Sequence, residues 1–197
     1  MWTTTLRAPS WHAGMTPTAP ALRLEVLEPR DVPAITIQLD YTYDSGFFAA
    51  RPDARAVLER VAGELGNILT ANLSAITPSG GNAWTATFYN PGGAGEITIP
   101  NLAVGANALR VFVGAEPMSG NEQGSGGPGG YSLSGSTAWI STVQTRGHSG
   151  YAPWGGSLSF DSAAAWFFGQ TTAGLTSAKI DFYSVALHEM GHLLGIG

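Results

Sequence analysis

Apolar and polar residues alternate at the start of the structured part of the chain. Ile35, Ile37 and Leu39 interleave with Thr36, Gln38 and Asp40. Period two is the pattern of a strand with one buried face. Next, Ala54, Val57, Leu58, Val61, Leu65, Ile68, Leu69 and Leu73 recur at spacings of three, four and seven. That is the single apolar stripe of a helix. Pro52 and Asp53 suit its first turn, while Gly63 and Gly66 weaken it, so it depends on packing against a sheet. Three strands are expected at 83–89, 96–99 and 109–113; the last is apolar throughout, as a buried strand is. The residues from Ser119 to Ser136 carry seven glycines and read as loop. Residues 138–145 and 157–160 read as two further strands, and 181–194 as a final helix. No internal repeat is present.

Five prolines (Pro9, Pro17, Pro20, Pro29 and Pro33) interrupt the first 33 residues and exclude a long helix there. The expected organisation is a disordered or export-related leader at 1–33 and one domain at 34–197. The start of the chain lacks the apolar stretch of a standard signal peptide. The segment 24–34 resembles a short element of exported planctomycete proteins. With a single lysine and abundant Gly, Ser and Thr, it favours an exported bacterial protein, secreted or at the cell surface.

Composition narrows the chemistry. The chain has 197 residues, 27 of them Gly and 12 Pro; 44% are hydrophobic and 12% charged. That apolar fraction supports a core. The net charge of −5 argues against nucleic acid as a partner. No run of apolar residues is long enough to span a membrane. With no cysteine, disulfides, thiolate metal sites and a cysteine nucleophile are all excluded. The Gly-rich run 124–130 lacks the lysine and following helix of a phosphate loop. No Gly-x-Ser-x-Gly elbow is present.

The chemistry concentrates in the final helix, in His188-Glu189-Met190-Gly191-His192. Residues four apart share a helical face, so both imidazoles can reach one zinc ion. Glu189 lies about 100° further round the helix, beside the metal and not on it, where a general base acts on a water. Only four histidines occur in the chain. Two of them and a glutamate within five positions of an otherwise apolar helix are hard to explain structurally, because burying them without partners is costly.

With Gly195, this stretch resembles the metzincin motif His-Glu-x-x-His-x-x-Gly-x-x-His. Residues 155–161 and Trp166 are similar to the segment before the catalytic helix of matrixins, and 182–189 to bacterial matrixin-like peptidases. The resemblance implies an α+β fold: a metzincin-like upper subdomain with a mostly parallel twisted sheet, a long backing helix and a zinc-bearing active-site helix. It implies a zinc metalloendopeptidase, a hydrolase with His188 and His192 on Zn2+, Glu189 as catalytic base, and a protein or peptide substrate. The substrate would extend along the edge strand near 138–158, and the protein is expected to be a monomer. The motif's third ligand would fall at position 198, beyond Gly197. The alternative is an inactive, truncated exported domain with a partial zinc site and a binding or structural role. His12 and His148 alone cannot complete the structural zinc site of animal matrixins, and latency through a cysteine switch is impossible. His148 is either a metal ligand or an exposed loop residue. Asp161 is either a Ca2+ ligand or a cap on the turn before Trp166. Tyr151, Trp154, Trp166, Phe167 and Phe168 are expected in the core or cleft wall.

Overall fold

The computed structural model describes residues 35–146 and 153–196. The leader, the segment 24–34, His12, His148 and Tyr151 lie outside the described residues. The first strand, β1 (Thr36–Asp40), is followed by the helix α1 (Pro52–Ile68). Then come β2 (Ala83–Tyr89), β3 (Glu96–Pro100) and β4 (Ala108–Glu116). The fold continues through β5 (Gly124–Pro128), β6 (Gly130–Ser134), α2 (Thr137–Thr145) and β7 (Gly155–Asp161). It ends with the short strands β8 (Trp166–Phe167) and β9 (Ile180–Asp181) and the helix α3 (Phe182–Leu193).

The protein is α+β with a mostly parallel main sheet. Its order is β1-β4-β7-β5. The pairs β1–β4 and β4–β7 are parallel, and β5 closes the far edge antiparallel to β7. Both faces of this sheet are covered, which explains the continuous apolar character of β4. Leu109, Val111, Val113 and Ala115 face α1 and α3 in one buried cluster. Phe112 faces the other way, into a second cluster with Trp84, Phe88, Trp139 and Trp154. Phe88 and Phe112 stack there with ring centroids 4.2 Å apart.

Four expectations from the sequence need correction. First, β2 and β3 do not join the main sheet. They form a separate antiparallel sheet, β3-β2-β6, that packs its Trp84–Ala86–Phe88 face into the second cluster.

Second, the segment 119–136 is not simply loop. It contains β5 and β6, paired in register with β7 and β2 (Gly126 opposite Leu158, Ala86 opposite Tyr131). Glycine and serine carry little strand propensity of their own, so the neighbouring strands impose the conformation.

Third, 138–145 is a helix. The Ser136 side chain caps it, accepting from the Trp139 N–H at 3.3 Å. Trp139 and Val143, four residues apart, bury together in the second cluster. The hydroxyls of Thr142 and Thr145 donate to the carbonyls four residues back. This spends the polar atoms of two residues that would otherwise favour a strand. Replacing Ser136 with Ala should lower stability by about 1 kcal/mol in urea denaturation.

Fourth, the apolar stripe outlasts its helix. α1 stops at Ile68, which is 73% exposed, and Leu73 reaches the core from the extended chain beyond.

Two polar anchors hold this arrangement. Arg146 follows α2 with φ of 46° and is fully buried. Its guanidinium donates to the carbonyls of Ser74 (3.0 and 2.7 Å), Gly105 (3.0 Å), Ala108 (2.9 Å) and Pro153 (3.3 Å). Burial pushes its pKa down to about 10, so it stays charged at neutral pH. Asp161 acts at the end of β7. Its Oδ1 accepts from the Met118 N–H at 3.2 Å and the Ala163 N–H at 3.0 Å, which places it as a cap on the turn that leads to Trp166. Trp166 in turn donates from Nε1 to the Asp161 carbonyl at 2.7 Å. Among the described residues, no helix is long and apolar enough to cross a membrane.

Candidate active site

α3 is held at both ends before any ligand is considered. At its start, the Asp181 carboxylate caps the helix by accepting from the Ser184 N–H at 3.3 Å. Phe182, the first helical residue, is fully buried among aromatic rings. Its ring centroid lies 4.7 Å from that of Phe160, 5.1 Å from Trp166, 5.1 Å from Phe168 and 6.2 Å from Phe48. Phe182, Ala186, Met190 and Leu193 form the buried side of the helix, at spacings of four, four and three.

The other end stops in two interlocked hydrogen bonds. The Ile196 N–H donates to the Gly191 carbonyl at 2.9 Å, and the Gly195 N–H to the His192 carbonyl at 3.0 Å. Gly195 has φ of +83°. This is a Schellman ending, in which a left-handed residue turns the chain and glycine carries no steric penalty. Gly195 thus ends α3 in a definite geometry.

On the solvent side, His188 and His192 converge. Their Nε2 atoms are 3.0 Å apart, and their ring centroids 4.4 Å. Two nitrogen ligands at 2.0–2.1 Å from a tetrahedral zinc ion lie roughly 3.3 Å from one another. The pair therefore fits a single ion as a two-pronged chelate. Among the described residues, no group of three His, Cys, Asp or Glu side chains comes together around it.

Glu189 is 7% exposed and lies against β5. Burial raises its pKa above the usual carboxylate value, and Glu122 acts in the same direction. The imidazoles of His188 and His192 and the nearby backbone amide of Gly126 pull it back down. A carboxylate under these opposing influences suits proton transfer better than a fully solvated one does.

The edge strand nearest this helix is β5. The resemblance put the substrate on an edge strand near 138–158; there, 138–145 is α2 and β7 lies inside the sheet, so the expected location of that edge is corrected to 124–128. A groove of about 690 Å3 opens beside β5, with Asn90, Glu116, Met118, Glu122, Ser125 and Gly127 among its walls. Trp154 and Trp166 are buried, and Phe167 and Phe168 are half-buried, as core or wall residues should be. The contribution of β5 to the surroundings of Glu189 was not readable from the sequence. The only signal is glycine at every second position, Gly124 and Gly126, which matches the period of a strand.

Comparison with known proteins bears on this same stretch. The matrixin family model matches residues 141–197, from the second half of α2 to the end of the chain. Residues 141–197 are matrixin-like. Metalloendoproteinase 1-MMP of Arabidopsis thaliana is 43% identical over 47 residues, which cover 24% of this chain and 13% of the plant protein. The chain thus matches about an eighth of that relative's length. No solved structure gives a significant match to the chain. The matrixin-like segment carries the likeness to metallopeptidases, and matrixins as a family depend on zinc. It includes the whole of α3, with both histidines and Glu189.

Proposed function

We propose that the protein is a zinc-dependent metalloendopeptidase whose catalytic helix is α3. One observation carries this reading: the 3.0 Å convergence of the His188 and His192 Nε2 atoms beside the buried carboxylate of Glu189. His188 and His192 would hold the ion. A bound zinc ion supplies Lewis acidity, which acidifies a water and polarises a carbonyl. Glu189 takes the proton from the attacking water on its carboxylate and gives it to the departing amine.

A peptide would lie extended along the free edge of β5, adding a strand through main-chain hydrogen bonds. Its side chains would then meet the groove that β5 borders. The glutamates there, and the lack of a basic side chain among the described residues of its walls, suit neutral or cationic substrate segments. The protein is further proposed to be exported and to act on protein substrates as a monomer.

Equilibrium dialysis tests the metal site directly. The chain is expected to take up one zinc ion, and His188→Ala is expected to abolish that uptake. With two donors from α3 the affinity should be modest. Zinc uptake that is indifferent to His188 would overturn the reading.

A further inference from the structure

β5 touches Glu189 at two levels. Along the side chain, a methyl group placed on Gly124 would sit 3.0 Å from the Glu189 Cγ. At the helix backbone, a methyl group on Gly126 would fall 2.3 Å from the Glu189 carbonyl oxygen and 2.9 Å from its carbonyl carbon. Real side-chain carbons do not approach that closely, so this contact exists only because residue 126 has no side chain. Gly127, one position on, faces open space, and nothing would crowd a methyl group there. The requirement is thus specific to one side of the strand.

We propose that Gly126 is a positioning residue for the general base: its bare backbone lets β5 lie directly on α3, and the strand packed there holds the Glu189 side chain in one direction. The proposal rests on the reading of Glu189 as base. A free glutamate side chain has several rotatable bonds, and a base that samples many directions is in place only part of the time. The close contact with β5 covers one side of the side chain and leaves it few directions to take. The edge strand therefore serves the chemistry as well as the substrate.

The test reads the packing without needing turnover. In the full chain, the order parameter of the Glu189 Cγ methylene is measured by NMR relaxation in the wild type, Gly126→Ala and Gly127→Ala. Gly126→Ala should push β5 off α3 and lower that order parameter, and Gly127→Ala should leave it unchanged. In zinc-loaded protein, Gly126→Ala should lower kcat by about tenfold or more, with KM and zinc content little changed. Should Gly126→Ala fail to fold, Gly124→Ala, which crowds the flexible side chains of Glu189 and Val185, should lower kcat in the same way. A Glu189 order parameter that ignores Gly126→Ala, or a folded Gly126→Ala variant with wild-type kcat, would overturn the proposal. If the wild type cleaves no peptide, the functional reading fails, while the relaxation experiment still decides the packing by itself.

Discussion

Glu189→Gln is expected to lower kcat by roughly 10²- to 10⁴-fold, the range contributed by a positioned general base. The amide nearly matches the carboxylate in shape, so packing against β5 should survive. It cannot accept the proton of the attacking water at neutral pH. Because Glu189 faces β5 and the two imidazole Nε2 atoms face one another at 3.0 Å, zinc content should be unchanged. The measurement is peptide cleavage by the zinc-loaded chain, together with metal analysis of both proteins. Cleavage that persists in Glu189→Gln with zinc retained would remove Glu189 from the mechanism. Cleavage lost together with zinc would mean that the substitution acts through the metal site. Only loss of turnover with zinc retained supports the assignment.

The second large effect concerns stability. Arg146→Met should lower the free energy of unfolding by about 3–5 kcal/mol, since each buried carbonyl left without a donor costs about 1–3 kcal/mol. Four carbonyls depend on this guanidinium: those of Ser74, Gly105, Ala108 and Pro153. They belong to the chain after α1, the approach to β4, the first residue of β4 and the approach to β7. One planar fork thus ties together segments far apart in sequence. Lysine has one compact ammonium and cannot span the set, so Arg146→Lys should recover little of the loss. Urea denaturation gives the comparison. A loss below about 1 kcal/mol for Arg146→Met would mean that water or backbone shifts satisfy the carbonyls instead. Such a loss matters, because the total stability of a domain is only about 5–15 kcal/mol.

How far the sequence foretold this structure depends on where the information for each element resides. α3 was legible because its signals are local. Four-residue apolar spacing, the cap at Asp181 and the stop at Gly195 all lie within or beside the helix. β4 was legible because a strand covered on both faces is apolar throughout. α2 was not, since Trp139, Ile140 and Val143 favour strands, and what decides for the helix is the burial of Trp139 and Val143 with Trp154, distant in sequence. β5 and β6 were hidden for the opposite reason: their residues express no preference, and strands β7 and β2 impose one. Arg146 was invisible as an anchor because arginine is rarely buried, and its acceptors are main-chain carbonyls that leave no trace in the sequence. The candidate site divides in the same way. The histidine pair and Glu189 follow from spacing on one helix. The part played by Gly126 follows from how closely another element approaches, which only the folded chain shows.

The aromatic socket around Phe182 bears on the kinetics of metal capture. Its neighbours Phe48, Phe160, Trp166 and Phe168 come from the chain before α1, from β7, from β8 and from the residue after it. The helix is therefore fixed by contacts on the side opposite the imidazoles. An ion arriving at the proposed zinc site would find both nitrogen donors already turned towards one point. The rate of capture would then be governed by diffusion and by the loss of water from the ion, with no folding step to wait for.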